Sequence, residues 1–362
     1  MGITGLTWQQ AVLILVGCAL IYLAIVKQYE PLLLAPIGFG AILANLPFSS
    51  AAGEHGWLTL LTQAGISTEL FPVLIFIAVG AMCDFTPLLS MPSMMLFGAA
   101  AQFGIFATIV VATLLGFDIK EAASIGIIGA ADGPTTIYVA TRFAPHLLGP
   151  LTVCAYTYMS LVPIIQPPVI RLLTTKNERA IRMVYTGGRP VSRLTKIVFP
   201  IAVTIIAGIL VPSSVALIGA LMFGNLLREA GVMEKLSKAA QNELSNLVTL
   251  LIGITIGSTM DAEIFLTWQT LGILALGLAA FILDTAGGVL FVKLINLFAP
   301  RKINPMLGAA GISAFPMSAR IVAKMAQEAD PGNYLIMHAV GANVAGQIAS
   351  IMAGGLVLAL IR

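Results

Sequence analysis

Apolar residues run along the chain in stretches long enough to cross a bilayer, separated by short polar interruptions. The stretches lie near 11–26, 31–47, 70–83, 93–117, 122–140 and 147–173, and then near 197–212, 214–227, 247–260, 270–297, 304–319 and 333–361. A hydrocarbon core of ~30 Å takes roughly 20 residues of helix to cross. Several stretches are short or interrupted by Gly and Pro. The pattern therefore predicts an all-α polytopic membrane protein with about ten transmembrane helices plus re-entrant or broken segments. The first stretch, about Ala11 to Val26, has no basic region before it and no small-residue cleavage site after it, so it is not expected to be a removable signal.

The two halves carry matching landmarks in the same order. Ala35-Pro36-Ile37-Gly38-Phe39-Gly40 has a counterpart in Ala216-Leu217-Ile218-Gly219-Ala220 running to Phe223-Gly224-Asn225. Gly80 to Asp84 closes the third stretch, and Gly257 to Asp261 closes its counterpart at the same spacing. Gly126, Gly129 and Pro134 share the spacing G-x-x-G-x-x-x-x-P with Gly308, Gly311 and Pro316. Such order argues for an internal repeat: residues 1–170 and 197–362 as two membrane repeats flanking a loop at 171–196. In membrane transporters repeats of this kind usually have inverted topology, with the substrate site where they meet.

The breaks carry the chemistry. In Gly126-Ile-Ile-Gly-Ala-Ala-Asp132-Gly-Pro-Thr-Thr136, Gly and Pro are dense enough to interrupt a helix. An interruption in hydrocarbon exposes backbone groups at several kcal/mol each, unless they line a cavity or bind an ion. Asp132 adds roughly 2.5–3.5 kcal/mol or more at mid-membrane. Freed carbonyls, this carboxylate and the Thr135 and Thr136 hydroxyls make a hard-oxygen set suited to Na⁺ or H⁺. The matching break, Asn304 to Arg320, places Asn304, Ser313 and Arg320 at its polar positions, and Arg320 is a natural partner for a carboxylate, either Asp132 or one on a substrate. Tyr156, Tyr158 and Asn343 are further polar positions in apolar runs, though spacing alone does not single out Tyr158. Asp84 and Asp261 close their segments, where capping or hydration is expected. Asp284 lies mid-segment without an evident partner.

Composition narrows the picture further. Hydrophobic residues make up 58% of the 362 and charged residues 10%, so lipid must be the solvent for most of the chain. The net charge of +3 does not indicate nucleic acid, because seven of the 19 Lys and Arg gather in one stretch: Arg171, Lys176, Arg179, Arg182, Arg189, Arg193 and Lys196. The positive-inside rule makes that loop cytoplasmic, whether as a topology signal or also as a docking surface. Cys18, Cys83 and Cys154 stand singly without metal or redox spacing, as packing residues.

At Glu30-Pro-Leu-Leu-Leu, Ala100-Ala-Gln-Phe-Gly-Ile-Phe-Ala107, Gly129-Ala-Ala-Asp-Gly-Pro134, Leu161-Val-Pro-Ile-Ile-Gln-Pro-Pro168 and Met337-His-Ala-Val-Gly-Ala-Asn-Val-Ala-Gly346 the chain closely resembles the β subunit of the biotin-dependent, sodium-pumping decarboxylases. That family includes the oxaloacetate, methylmalonyl-CoA, glutaconyl-CoA and malonate enzymes. The resemblance implies a membrane subunit that decarboxylates carboxybiotin, consuming a proton, and exports Na⁺. It implies a biotin carrier protein, a carboxyltransferase α subunit and a small membrane subunit of the γ/δ type as partners, and a homo-oligomer within the complex. The expected location is the bacterial cytoplasmic membrane.

The family's functional aspartate falls on Asp132, as a Na⁺ ligand able to exchange its ion for a proton, and its functional tyrosine on Tyr158. The second-half set falls on Asn304, Gly308, Ser313 and Arg320, and a further asparagine on Asn343. Asp132, Tyr158 and Arg320 are then the expected catalytic residues. Asp132, Asn304, Gly308, Ser313 and Asn343 are the expected ion site. The loop from Ser49 to Glu69 is much shorter than in the oxaloacetate enzyme, which leans towards an acyl-CoA or malonate system. Ala323-Lys-Met325 lacks the Met-Lys-Met core of a biotinylation site, so biotin is expected on the partner. Taken without the resemblance, the residues fit a Na⁺-coupled secondary transporter equally well. A membrane scaffold that only docks soluble subunits would have no use for costly intramembrane charge.

Overall fold

The structure, a computed structural model, describes residues 5–183, 190–265 and 267–361. Arg189 of the basic stretch lies outside the described residues. Among these residues the chain is helical with no strand. The helices used below are α1 (Trp8–Ile25), α2 (Pro31–Asn45), α3 (Leu70–Met82), α4 (Met94–Ala100), α5 (Phe103–Leu114), α6 (Ile119–Gly126), α7 (Gly133–Phe143), α8 (Leu148–Leu173), α9 (Arg193–Leu210), α10 (Val215–Glu229), α11 (Ser245–Ser258), α12 (Trp268–Phe298), α13 (Met306–Ala310), α14 (Met317–Ala329) and α15 (Ile336–Leu360).

Six helices among the described residues are long and apolar enough to cross a membrane, or seven if Trp57–Ser67 and α3, bent by 64°, form one span. This makes the protein a multi-pass membrane protein with fewer full-length spans than the ten expected. The reason is local: Gly and Pro cut the remaining apolar runs into helices of 15 residues or fewer. Helix starts follow from their caps. The Thr7 hydroxyl accepts from Gln10 N at 3.2 Å while the Gln10 side chain accepts from Thr7 N at 3.0 Å, closing a capping box on α1. Asp118 and Glu121 do the same for α6.

Two groups of helices result. In the first, α1 packs on α2, α2 on α11, α3 on α10, and α9 on α10. The two central seams are glycine contacts. A Cβ added at Gly40 would collide with the Ile254 carbonyl, and one at Gly257 with the Ile37 carbonyl. One at Gly80 would strike the Leu221 carbonyl, and one at Gly224 the Ile77 carbonyl. Close backbone approach at small residues is how helices associate in lipid, where apolar burial between them contributes little. The pairing is an exchange: α2 of the first half seats on α11 of the second, and α10 of the second on α3 of the first. Asn45 Nδ2 closes one seam on Met260 O at 2.6 Å, and Asn225 Nδ2 the other on Cys83 O at 3.0 Å.

The second group holds both broken helices. Here α4 packs on α15, α5 and α8 on α12, and the broken pairs α6–α7 and α13–α14 lie among them. Its interior is lined by small and aliphatic side chains, among them Ile127, Ile128, Ala130, Ile312 and Ala314, all fully buried. Polar groups inside it must therefore satisfy one another.

Candidate functional site

The first break begins where α6 tightens into a 3-10 turn over Ile127–Ala130. Ala131 then takes a left-handed conformation (φ 52°), rare for a residue with a Cβ. This turn swings Asp132 into the N-cap position of α7, with Pro134 in the first turn where a missing N–H costs nothing. The carboxylate is buried at 4% exposure. It accepts from Thr135 N at 3.3 Å and from the Thr135 hydroxyl at 2.7 Å, and the Ser350 hydroxyl of α15 donates to Oδ2 at 2.7 Å. Thr136 instead donates back to the Asp132 carbonyl at 3.0 Å.

The second break runs from Gly311 to Pro316, and the Phe315–Pro316 peptide is cis. Its three successive carbonyls each accept from a primary amide. Gln102 Nε2 lies 3.5 Å from Gly311 O, Asn343 Nδ2 donates to Ile312 O at 2.7 Å, and Gln347 Nε2 donates to Ser313 O. The two breaks then touch. Ser313 donates to Ala130 O twice, through its N–H at 3.1 Å and its hydroxyl at 2.7 Å. The backbone groups that an interrupted helix leaves open in hydrocarbon are thus answered by side chains and by the other break.

Asp132 and Ser313 line one cavity of about 280 Å³. Its walls come from both helix groups: Glu30, Leu33, Ile75, Phe76, Ser245 and Thr249 from the first, and Asp132, Tyr156, Met159, Ser313, Pro316 and Gln347 from the second. Glu30 sits at one edge, in a left-handed conformation (φ 38°) that caps no N–H with its side chain. Burial raises its carboxyl above its ordinary range, and the nearby Arg320 guanidinium offsets only part of that rise.

The other expected site residues do not join this cavity. Asn304 is buried, but its Nδ2 donates to the carbonyls of Arg179 (2.8 Å) and Ile181 (3.0 Å), and its Oδ1 accepts from Met306 N at 3.1 Å. It ties the segment after α8 to the start of α13. Gly308 serves backbone packing: a Cβ there would strike the Gly288 carbonyl of α12. Arg320 is exposed on α14 rather than buried beside Asp132. Tyr158 is half-buried and donates to Leu274 O at 2.6 Å. The single shell of Asp132, Asn304, Ser313 and Asn343 is therefore not what the fold assembles. Asn343 stays one residue away, on Ile312, outside the cavity lining.

Three cavity-side residues went unassigned from sequence. The Tyr156 hydroxyl is buried in the cavity wall with no hydrogen-bond partner among the described residues. Gln347 and Ser350 reach the site from α15. All three lie in or beside polar spots within apolar runs, which is the only signal that could have found them.

A membrane protein whose crossed breaks hold a buried carboxylate in a cavity between two helix groups is built to handle ions inside the bilayer. The chain belongs to the family of the Na⁺-transporting oxaloacetate decarboxylase β subunit, which matches residues 9–361. It is 54% identical to the glutaconyl-CoA decarboxylase subunit β of Acidaminococcus fermentans, over 99% of this chain and 95% of that one. It is 53% identical to the methylmalonyl-CoA decarboxylase subunit β of Veillonella parvula, with the same coverage. With a probable oxaloacetate decarboxylase β chain of Vibrio cholerae the identity is 45%, over 99% of this chain and 96% of that one. That last alignment runs over 419 positions against 360 for the first, so the oxaloacetate chain carries residues that this one lacks.

Proposed function

We propose that this chain is the membrane subunit of a sodium-pumping decarboxylase of the acyl-CoA type, in a bacterial cytoplasmic membrane. In this reading a carboxyltransferase α subunit loads CO₂ onto biotin of a carrier protein. The chain then takes the carboxybiotin, releases CO₂ and couples that release to Na⁺ export. A small γ/δ-type membrane subunit and further copies of the chain complete the complex. The acyl-CoA assignment is supported by the higher identity and matching length of the glutaconyl-CoA and methylmalonyl-CoA relatives.

The observation that carries the reading is Asp132: a carboxylate at a helix break, buried in a cavity that opens between two helix groups. The cavity's apolar walls favour decarboxylation, because removing water from the carboxylate of carboxybiotin destabilises it relative to CO₂. The proton consumed goes to the biotin ureido nitrogen as the C–N bond breaks. Asp132, giving up its proton as Na⁺ binds in its place, is one source. The Tyr156 hydroxyl is the phenol on the cavity wall, whereas Tyr158 points its hydroxyl to Leu274. Arg320, exposed near Glu30, is placed to attract an incoming carboxylate rather than to neutralise Asp132. Moving one charge against 100 mV costs ~2.3 kcal/mol, so CO₂ release and ion release must be locked together. The exchange of α2 and α10 between halves supports a motion of one group against the other about the cavity.

The test is Asp132→Asn in the complex reconstituted into liposomes with tracer sodium. We expect Na⁺-dependent decarboxylation and sodium uptake to fall together by about 100-fold or more, the scale of losing a group that handles the proton. Full sodium transport by the variant would overturn the assignment.

A further inference from the structure

We propose that the chain holds an anionic phospholipid on the outside of the second helix group, with an acyl chain between α4, α5 and α12 and the headgroup on Lys302 and Lys293. The inference does not depend on the ion the chain carries. It starts from two adjoining hollows that share no lining residue with the cavity at Asp132. The first, about 710 Å³, lies where α4 and α5 meet α12. Small residues at Ala99, Ala100 and Gly287 leave it open, and the half-exposed Leu96, Phe103 and Leu290 line it. The second, about 590 Å³, continues to the C-terminal end of α12, and Leu290 and Leu294 line both. From Gly287 to Leu297 the pair follows α12 for about 15 Å, at ~1.5 Å per residue.

The two ends differ in chemistry. The first hollow is lined by no charged side chain. The second is lined by Lys293, Lys302 and Glu178. Its carboxylate is already engaged: Lys293 Nζ lies 3.1 Å from Glu178 Oε1, and Thr175 N donates to Oε2 at 2.7 Å. Two lysines against one glutamate leave one positive charge over, and the exposed Arg301 adjoins it in sequence. Neither Arg301 nor Lys302 has an ion-pair partner among the described residues. Lys302 is nevertheless held in place. Asn296 donates through Nδ2 to Ile303 O at 2.7 Å and accepts from Ile303 N at 2.8 Å, folding the segment after α12 back over its last turn. Lys302 Nζ donates to Asn296 O at 2.5 Å. An ammonium has three donors, so this cap leaves capacity for a phosphate.

A long apolar hollow ending in lysines without a counter-charge matches a molecule of the same polarity, an acyl chain with a negative headgroup. Basic pockets between transmembrane helices on the cytoplasmic side are where such headgroups bind. The lysines stand on that side: Lys293 also donates at 3.0 Å to Leu173 O, in the basic segment that the positive-inside rule places in the cytoplasm. A zwitterionic headgroup would bring its own cation to the lysines. An apolar helix of a partner would cover the first hollow and leave the lysines unanswered.

The test uses the purified full-length chain in detergent, with dioleoyl phosphatidylglycerol or dioleoyl phosphatidylcholine added and bound lipid counted by native mass spectrometry. We expect phosphatidylglycerol to half-fill its first site at a concentration at least about fivefold lower, the scale of one basic residue near an anionic surface. Lys302→Gln should remove that preference, and Lys302→Arg should keep it. Ala99→Trp, at an exposed position in the first hollow, should weaken phosphatidylglycerol by a similar factor with every lysine in place. It is the decisive variant should Lys302→Gln fail to fold for want of its cap. Equal half-filling by the two lipids in the unaltered chain would show ordinary solvating lipid and overturn the proposal. So would a preference unmoved by Lys302→Gln or by Ala99→Trp, or displacement of the lipid by sn-glycerol 3-phosphate alone, which would make the site one for free phosphate. Phosphatidylglycerol held by the isolated chain but absent from the assembled complex would give the groove to a partner's helix, and overturn it too.

Discussion

The two broken helices share a spacing and divide the work. In the first, the position six residues after its leading glycine is Asp132. In the second, counted from Gly308, it is Ala314, fully buried. The first break carries charge and receives hydroxyl and N–H donors. The second carries none, and its backbone oxygens receive three amide donors instead. Ser313, whose counterpart in the first break is Ala131, bridges to Ala130. Two breaks of the same spacing are thus filled with a carboxylate on one side and with dipoles on the other. The lesson is that the shared glycines and prolines determine where the helix opens. The residue between them determines whether the opening handles charge.

The sharpest way to break this comparison is to put charge where only dipoles stand. Ala314→Asp places a carboxylate in the buried apolar cluster that also holds Ala101, Ile312 and Phe281. An uncompensated buried charge costs about 3–5 kcal/mol. The variant should lose that much stability in chemical unfolding from mixed micelles, or fail to accumulate in the membrane. Near-normal stability would mean that the second break tolerates charge and that the division of labour is not physical. A smaller effect sharpens the other side. Gln347→Leu leaves Ser313 O without its amide donor, at about 1–3 kcal/mol for an unsatisfied buried acceptor. The same unfolding assay should resolve this loss, and the comparison weakens if the variant matches the parent.

Much of this was legible in the sequence because it depends on residue type along the chain. The apolar runs, the two Gly-Pro breaks and the cost of Asp132 in hydrocarbon are local facts, and the breaks stand where they were expected. What the sequence did not show depends on helix phase and on remote partners. Tyr156 and Tyr158 are two residues apart, which on a helix is about 200° of rotation. One faces the cavity and the other Leu274, and nothing in Ala-Tyr-Thr-Tyr-Met-Ser says which. Arg320 is polar in a broken segment whether it points inward or to solvent. Asn304 stands at the head of the second break, yet turns to Arg179 and Ile181, more than 120 positions away. The amides at 102, 343 and 347 meet the second break only through the packing of α4 and α15. An isolated carboxamide in an apolar run was the available sign, since it needs a backbone partner in lipid.

The smallest effect concerns how the basic segment is held against the second break from outside. Arg182 Nε lies 2.5 Å from Asp330 Oδ2 and Arg182 Nη2 lies 2.8 Å from Oδ1, a two-point pairing that joins the segment after α8 to the residue closing α14. Asn333 adds to it from the same end, donating to Arg179 O and Ile181 O, the two carbonyls that Asn304 also holds. The Arg182 guanidinium and the Gly332 N–H hold the Asp330 carboxyl down at about 2, from an ordinary 3.8. A depressed carboxyl contributes stability above its unfolded value and loses it as pH falls. The clasp is therefore complete above about pH 4 and should be lost between pH 4 and 2, while neutral and alkaline conditions leave it unchanged. The pair is on the surface, so the effect is small and weakens with salt. Asp330→Asn should unfold at a slightly lower temperature than the parent at pH 6, with the difference shrinking towards zero as pH approaches 2. A difference that persists at low pH would mean that Asp330 acts through the Gly332 turn, and that the basic segment is held by the two asparagines alone.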